Sequence, residues 1–193
     1  MAEYKPGAAD GLIVVDLQGD FCPGGTLAVS EGDAIVEAVN ALLEIPGWMK
    51  VATRDWHPAD HISFQAQGGI WPVHCVADTP GAAFHPQMNA GNVEMVVSKA
   101  TTRAAEAYSG FDGTSLADDL RAAGIGRLFV CGLATDYCVK ATALDARREG
   151  FEVVVLENAI RAVNVDPKDG ENAVGEMRAA GCAFAHSSEV RSA

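Results

Sequence analysis

The sequence has few basic residues and no long apolar segment. Lysine and arginine together number 14 against 26 aspartates and glutamates, which gives a formal net charge of -12. This shortage argues against nucleic acid or an anionic membrane as a partner, because phosphate binding needs a basic face. No apolar run approaches the roughly 20 residues of a membrane span, and the N-terminal segment lacks the features of a secretory signal. We therefore expect a cytoplasmic protein with neither nucleic acid nor membrane as a partner.

Cysteine pairs at metal-binding or redox spacing are also absent. The chain has five cysteines, an odd number at irregular spacings, and contains no C-x-x-C pair. A disulfide framework is not expected in a domain of this size, so a reducing compartment fits better. Each cysteine therefore has to be judged by its own position.

What the sequence does contain is a regular alternation of apolar runs and amphipathic segments. The continuous apolar runs predict strands that are buried on both faces of a parallel sheet. The predicted strands span 11–18, 50–57, 93–99, 127–132, 151–158 and 182–185, and the predicted helices span 33–44, 114–124, 135–150 and 170–181. We predict one α/β domain over residues 1–193, with a mostly parallel six-stranded sheet and helices on both faces.

Chemically active side chains lie at the ends of the predicted strands. Asp16 follows the first strand, Asp55 the second and Lys99 the third, and the turn GLATDYC, which carries Cys138, follows the fourth. In open parallel sheets, ligands bind beyond the carboxyl ends of the strands. An acid, a lysine and a thiol are therefore expected to meet at one edge of the sheet.

Cys138 is predicted in the first turn of a helix, where free N–H groups and the helix dipole favour a thiolate. Lys99 acts in the same direction, and Asp16 can take the thiol proton and pass it to a leaving group. The N–H groups of Ala134 and Cys138 can hold an oxyanion. The alternative is that Cys138 is a small buried hydrophobic residue. The other cysteines lack this setting, and we expect them to be buried and inert: Cys22, Cys75, Cys131 and Cys182.

A second group of candidate residues lies in and beside the segment 56–92, which is rich in proline, glycine and histidine. A loop of this length in a compact domain is usually functional. One carboxylate, Asp55, stands close in sequence to His57, His61 and His74. One carboxylate with two or three imidazoles suits zinc, iron or manganese, with coordination positions left open. The alternative is a set of solvated loop histidines.

Five sequence blocks, in this order, resemble the nicotinamidases, which belong to the isochorismatase-like cysteine hydrolases with a Rossmann-like fold. The resemblance runs from about residue 11 to residue 185. The blocks are VVDLQGDFCPGGTLAV, ATRDWHPADHISF, WPVHCVADTPGAAFHP, SKATTRAAEAYSGF and VCGLATDYCVKATALDA.

This resemblance implies a role for each candidate residue. The catalytic triad would be Asp16, Lys99 and Cys138. One divalent ion, with zinc as the first choice and iron or manganese as alternatives, would be held by Asp55, His57 and His74, with His61 as a further ligand in some members. A cis peptide at Leu133–Ala134 would direct the Ala134 N–H toward an oxyanion. The substrate pocket would include Phe21, Trp71, Leu27 and Tyr108, with Gln18 near a metal-bound water.

The implied reaction is hydrolysis of nicotinamide to nicotinate and ammonia through a thioester on Cys138, with pyrazinamide as a second substrate and NAD salvage as the physiological role. Family members range from monomer to tetramer, so a homo-oligomer remains open. Three alternatives remain. A hydrolase of N-carbamoyl compounds is expected to lack the metal ligands, and a silent binding protein is expected to have lost Cys138. An isochorismatase acts on an ether and needs no thiolate.

Overall fold

The structure is a computed structural model and describes residues 3–192. Its strands are β1 (Asp10–Val15), β2 (Met49–Asp55), β3 (Met95–Lys99), β4 (Arg127–Leu133), β5 (Glu152–Arg161) and β6 (Ala183–Ala185). Its α-helices are α1 (Val36–Glu44), α2 (Leu116–Ala122), α3 (Lys140–Arg148) and α4 (Asp169–Ala179). All neighbouring strands of the six-stranded sheet are parallel, which confirms the predicted fold class.

The strand order of the sheet is β3-β2-β1-β4-β5-β6. The chain builds outward from β1 to β3 and then crosses to the other side of β1 to form β4, β5 and β6. The direction of building therefore changes between β1 and β4. In open α/β sheets the crevice at this point, at the carboxyl ends of the strands, is where ligands bind.

Alternate residues of β1 pack on opposite faces of the sheet. Leu12 and Val14 belong to one core cluster together with residues of α1. Ile13 and Val15 belong to a second cluster together with residues of α2, α3 and α4. All four side chains are fully buried. Burial on both faces explains why the predicted strands are continuously apolar, and the helices lie on both faces as predicted.

The largest departures from the predicted elements lie beside the crevice. Asp16 has a φ of 46°, so β1 ends at Val15 rather than at the predicted residue 18. The predicted helix over 135–150 begins as a π-helical turn, Thr135–Val139, and continues as α3. Single π-turns occur often at functional sites, which agrees with the position of this one after β4.

Gly132 allows β1 and β4 to approach each other closely before this turn. Its φ is +117°, and a Cβ at this position would lie 2.0 Å from the carbonyl oxygen of Val15. No other residue type fits without moving one of the two strands. The close approach brings the end of β1 next to the turn that carries Cys138.

The segment 56–92 has little regular structure, as predicted. It contains only short 3-10 turns, at Gln65–Gln67 and Ala90–Asn92. Among residues 3–192, no helix is both long enough and apolar enough to cross a membrane.

Candidate active site

Four strand ends bring the predicted catalytic side chains together at the crevice. Asp16 follows β1, and Cys138 lies in the turn after β4, the neighbouring strand. Asp55 and Lys99 are the last residues of β2 and β3, and they pair in register. The parallel arrangement therefore delivers all four side chains to the same edge of the sheet.

Lys99 stands at the centre of this group. Its Nζ lies 2.9 Å from Asp16 Oδ2 and 3.5 Å from Cys138 Sγ, and it contacts Asp55 Oδ1. It also donates a hydrogen bond of 3.2 Å to the carbonyl oxygen of Ala107. Lys99 is 1% exposed and Asp16 is 0% exposed. Because the ammonium group is removed from water, removal of one carboxylate would leave a poorly compensated buried charge.

The two carboxylates beside Lys99 differ in their affinity for a proton. Burial raises the pKa of Asp16, and the attraction of Lys99 does not cancel this effect. Burial also acts to raise the pKa of Asp55, but Lys99 and His57 outweigh it, so the pKa of Asp55 is well below its usual range. Burial alone would lower the pKa of Lys99, yet the two carboxylates raise it, so Lys99 stays charged. Asp16 is therefore the member of the group that takes up a proton most readily.

The surroundings of Cys138 favour the protonated thiol over the thiolate. Burial raises its pKa well above the usual value; Lys99 lowers it, and Asp16 and Asp55 raise it further. This direction is opposite to the expected stabilisation of a thiolate, because burial and two carboxylates outweigh one lysine. Cys138 Sγ lies within 4.8 Å of an Asp16 carboxylate oxygen. Asp16 Oδ2 is at ion-pair distance from Lys99 but accepts no hydrogen bond from residues 3–192, so an acceptor for the thiol proton is available.

The turn before Cys138 leaves a backbone donor free. The Leu133–Ala134 peptide is cis, as the resemblance implied. The carbonyl oxygen of Ala134 accepts hydrogen bonds of 3.1 Å from the N–H groups of Tyr137 and Val139. The N–H of Ala134 has no acceptor within the described part of the chain. This arrangement offers a backbone N–H beside the thiol, the type of donor that stabilises an oxyanion.

Asp55, His57 and His74 form a second cluster, in which one ligand atom of each residue lies within 4.8 Å of the others. His57 Nδ1 is 3.2 Å from the carbonyl oxygen of Ala100, and His74 Nδ1 is 2.8 Å from that of Pro72. Each ring is thus fixed through one nitrogen, as is usual for metal-binding histidines. His57 Nε2 is buried and has no hydrogen-bond partner among residues 3–192. Burial also lowers the pKa of His74, which favours the neutral, ligating form. The three residues therefore fit a divalent metal ion such as zinc.

A second group of potential ligands, Asp16, Asp55 and Cys138, also satisfies the spacing of a metal site. Lys99 Nζ already lies within contact distance of all three side chains. A fixed ammonium group at this position repels a metal cation. The cluster of Asp55, His57 and His74 therefore fits a metal ion better than the group of Asp16, Asp55 and Cys138.

His61 lies beside the metal cluster but does not offer a ligand atom to it. Its ring stacks on that of His57, with the two centroids 4.2 Å apart. Its Nδ1 is 2.7 Å from Ser63 Oγ, and its Nε2 is 3.1 Å from the carbonyl oxygen of Ala105. Both nitrogens are therefore occupied, which departs from the expectation that His61 is a further metal ligand. In this structure His61 supports the ring of His57.

Cys138 and the cluster of Asp55, His57 and His74 line one cavity, to which Ala134 also contributes. All four apolar or aromatic residues that the resemblance assigned to the pocket also line it: Phe21, Leu27, Trp71 and Tyr108. Trp71 Nε1 donates a hydrogen bond of 3.1 Å to the hydroxyl of Tyr108. A flat heteroaromatic ring fits such walls, since small-molecule sites are lined mainly by apolar and aromatic side chains with a few polar groups.

Gln18 is not among the residues that line the cavity, contrary to the expectation that it belongs to the substrate pocket. Its side chain is fully buried, and Nε2 donates hydrogen bonds of 2.8 Å to the carbonyl oxygens of Asp55 and Ala82. Its Oε1 accepts a 2.8 Å hydrogen bond from the N–H of Asp55. Both donors and the acceptor are therefore engaged by the main chain rather than by a ligand.

The sequence-based interpretation missed Tyr137 as a pocket residue. Its ring lies 5.3 Å from that of Trp71 and 5.7 Å from that of Tyr108, and it lines the cavity. Tyr137 directly precedes Cys138, and this adjacency was the available signal. Val29 and Val163 also line the cavity, but they come from distant loops that carry no comparable signal in the sequence.

Three polar side chains that support the site were also missed. Thr53 donates a 2.6 Å hydrogen bond to Asp16 Oδ1. Asp20 Oδ2 accepts a 2.7 Å hydrogen bond from the N–H of Cys75, the residue after the metal-cluster histidine. Asp136 accepts the N–H groups of residues 163 and 164 at 2.9 and 2.8 Å and so fixes a wall of the cavity. Each of these contacts joins segments far apart in sequence.

Comparison with known proteins agrees with this geometry. The family model described as the isochorismatase domain matches residues 10–189. The chain is 42% identical to a nicotinamidase of Escherichia coli, over 88% of this chain and 91% of that protein. It matches a pyrazinamidase of Pyrococcus horikoshii in complex with zinc at a TM-score of 0.87 and 49% identity, covering 92% of this chain and 99% of that one. It matches PnC1 of L. infantum in complex with nicotinate at a TM-score of 0.95 and 38% identity, covering 100% of both chains. The chain therefore belongs to the isochorismatase family.

Proposed function

We propose that the protein is a metal-dependent amidase that hydrolyses nicotinamide to nicotinate and ammonia, and that it also hydrolyses pyrazinamide. The observation that carries this proposal is that Cys138, with Lys99 and Asp16 beside it, lines the same aromatic-walled cavity as the cluster of Asp55, His57 and His74. Three relatives support this substrate. The E. coli relative is named a nicotinamidase, the P. horikoshii relative a pyrazinamidase in complex with zinc, and the L. infantum relative is in complex with nicotinate.

Asp55, His57 and His74 are the residues that would hold the metal ion. Two imidazoles and one carboxylate suit zinc, with iron or manganese as alternatives. When bound, the ion would supply a Lewis acid able to hold a ring nitrogen and to acidify water. Phe21, Leu27, Trp71 and Tyr108 enclose the ring.

In the first chemical stage, Cys138 attacks the carboxamide carbon. Asp16 takes the thiol proton as the S–C bond forms, since its raised pKa makes it a better acceptor than Asp55. The negative charge moves to the carboxamide oxygen, where the N–H groups of Ala134 and Cys138 stabilise it. Asp16 then gives its proton to the amide nitrogen, the C–N bond breaks, and ammonia leaves a thioester on the sulfur.

In the second stage, water hydrolyses the thioester. Asp16, again a carboxylate, takes a proton from the attacking water. The C–S bond then breaks, Asp16 returns this proton to the sulfur, and the acid product loses its carboxyl proton to solvent and leaves as nicotinate. Lys99 stays charged throughout and stabilises the negative charges on the carboxylate and the sulfur. Its contacts with Asp16, Asp55 and Cys138 place its charge where it can do so.

We further propose that residues 1–193 form a single domain, that the protein acts in the cytoplasm, and that its physiological role is NAD salvage. Five cysteines, all buried and none in a disulfide, support a reducing compartment. Every residue proposed for the site comes from one chain, so the site would be complete in a monomer and in a homo-oligomer alike.

The test of this function is release of ammonia and nicotinate from nicotinamide by the purified protein. We expect turnover that is lost on treatment with a chelator and restored by zinc, iron or manganese. We also expect turnover of pyrazinamide, and none by Cys138→Ala. A folded, metal-loaded protein that releases no ammonia from either amide would contradict the proposal. Turnover that is unchanged after complete removal of metal would contradict its metal-dependent part.

A further inference from the structure

We propose that Gln18 is a positioning residue that replaces a missing strand partner of Asp55 and thereby fixes the metal-ligand cluster. This inference rests on the proposed metal site and goes beyond it. Gln18 touches neither the cavity nor the ligand nitrogens, and its effect would be transmitted through the main chain of Asp55.

The need for such a residue follows from the way β1 ends. β1 pairs with β2 up to Val14 opposite Ala52, and the chain then leaves the strand direction at Asp16, whose φ is 46°. Just after β1, the N–H of Asp16 donates to the carbonyl oxygen of Thr53 at 3.2 Å, and the pairing of β1 with β2 does not reach Asp55. The main-chain groups of Asp55 on this side therefore have no strand to pair with. Buried N–H and C=O groups without partners are costly, so another group has to satisfy them.

The carboxamide of Gln18 meets this need as a second strand would. Its Oε1 accepts the N–H of Asp55, and its Nε2 donates to the carbonyl oxygen of the same residue, both at 2.8 Å. Nε2 donates its second hydrogen bond, also of 2.8 Å, to the carbonyl oxygen of Ala82. Because these partners are one N–H and two carbonyl groups, only one orientation of the Gln18 side-chain amide satisfies all three. The N–H of Gln18 itself donates to the carbonyl oxygen of Asp16 at 2.8 Å, so Gln18 links the end of β1 to that of β2.

Asp55 is the residue that lies beside both Lys99 and a proposed metal ligand, His57. One oxygen of its carboxylate contacts Lys99, and the other lies 3.6 Å from His57 Nε2. The direction of this carboxylate depends on the position of its own main chain. Loss of an outer contact that orients a metal ligand typically lowers metal affinity by about 10–100-fold. We expect loss of the Gln18 carboxamide to act in this way.

The experiment measures the zinc dissociation constant by competition with a chromophoric chelator. It compares the wild type with Gln18→Met, which keeps the approximate length of the side chain and removes its hydrogen-bonding groups. Asn158→Leu is the matched control, because Asn158 also bridges main chain and side chain through both ends of its amide, at Ser187, outside the cavity lining. We expect Gln18→Met to weaken zinc binding by about 10–100-fold and Asn158→Leu to leave it unchanged.

A second readout separates positioning from contact with the substrate. At saturating zinc, we expect Gln18→Met to keep a KM for nicotinamide close to that of the wild type. Unchanged zinc affinity would overturn the inference, and so would a raised KM at saturating zinc without a change in zinc affinity. If the wild type binds no divalent ion, the proposed function fails as well, which distinguishes the two failures.

Gln18→Glu provides the second variant if Gln18→Met does not fold. It keeps the length of the side chain and an acceptor for the N–H of Asp55, but it places an oxygen against the carbonyl groups of Asp55 and Ala82. We expect this variant to lose zinc affinity as well, and wild-type affinity in Gln18→Glu would overturn the inference. Hydrogen exchange of the Asp55 amide in the wild type gives an independent check. We expect strong protection, and rapid exchange in the folded protein would contradict the hydrogen bond on which the argument depends.

Discussion

The two halves of the site are built in different ways. Asp16, Lys99 and Cys138 stand at or just beyond the ends of strands, so the sheet itself sets their positions. His57 and His74 lie in the irregular segment 56–92, and hydrogen bonds from Nδ1 to backbone carbonyl groups set the directions of their rings. The proposed nucleophile therefore depends on the packing of the core, whereas two of the three proposed metal ligands depend on the local path of a loop.

Asp55 is the residue that belongs to both halves. It is the last residue of β2, it contacts Lys99, and its carboxylate is part of the metal-ligand cluster. Its low pKa keeps it ionised for both purposes. Substitutions in one half should leave the other intact unless their effect passes through Asp55, and the predictions below test this separation.

Removal of the nucleophile should give the largest effect and should leave the metal half untouched. Cys138→Ala is expected to lower kcat by about 10⁴-fold or more, because the thioester route is lost. Its zinc affinity should equal that of the wild type, since Cys138 is not part of the Asp55, His57 and His74 cluster. Steady-state kinetics and chelator competition check the two parts. Loss of zinc in this variant would mean that the sulfur is a metal ligand and that the halves are not separate.

Removal of a loop ligand should break the metal half. His74→Ala is expected to weaken zinc binding by more than about 100-fold, a larger loss than outer contacts give. Activity should fall with metal occupancy and recover in part at high zinc, because the triad remains in place. His85→Ala is the control, since His85 lies outside the ligand cluster. Equal zinc affinities of the two variants would show that the assigned ligand set is wrong.

A change in the scaffold should break the half that depends on the sheet. Gly132→Ala places a Cβ 2.0 Å from the carbonyl oxygen of Val15 at a φ of +117°, so the two strands must separate. We expect a loss of unfolding free energy of roughly 3 kcal/mol, from backbone strain and overpacking together. Gly126→Ala is the control, because no atom lies within 4 Å of its Cβ position and its φ is not positive. Denaturant unfolding of both variants measures the difference, and equal stabilities would contradict the close approach.

The smallest expected effect concerns the wall that the two halves share. Tyr108→Phe removes the hydroxyl that accepts the hydrogen bond of Trp71 Nε1 but keeps the ring. A neutral hydrogen bond contributes about 1 kcal/mol, so KM for nicotinamide should rise by about fivefold with little change in kcat. Trp71→Phe should give a similar rise, and the double variant should add little. A large fall in kcat instead would place the Tyr108 hydroxyl in the chemistry.

The sequence predicted the triad from general rules because its members follow apolar strands. Acid and lysine side chains at the ends of parallel strands must meet at one edge, and the register of Asp55 with Lys99 satisfies that rule. The metal ligands were harder to predict, because their spacing in the loop alone left solvated histidines as an alternative. Only the resemblance separated His57 and His74 from His61.

Properties that depend on several distant neighbours could not be predicted from the sequence. The pKa of Cys138 depends on burial and on two carboxylates as well as on Lys99, and no local pattern reports their balance. The position of Gln18 depends on where β1 leaves the sheet. The place of Tyr137 in the cavity wall depends on a π-helical turn, and the helical sequence pattern of 135–150 does not indicate this turn.

The central claim is that the buried Cys138 forms a covalent bond to the carbonyl carbon of the substrate, beside a separate metal site formed by Asp55, His57 and His74. The most direct test is rapid acid quenching of the zinc-loaded protein during turnover of nicotinamide, followed by mass spectrometry of the intact chain and of its peptides. We predict a single nicotinoyl group on the peptide that contains Cys138, present during turnover and absent from Cys138→Ala. Nicotinate production by Cys138→Ala at the wild-type rate, with no adduct on the wild-type protein at any time, would contradict the account.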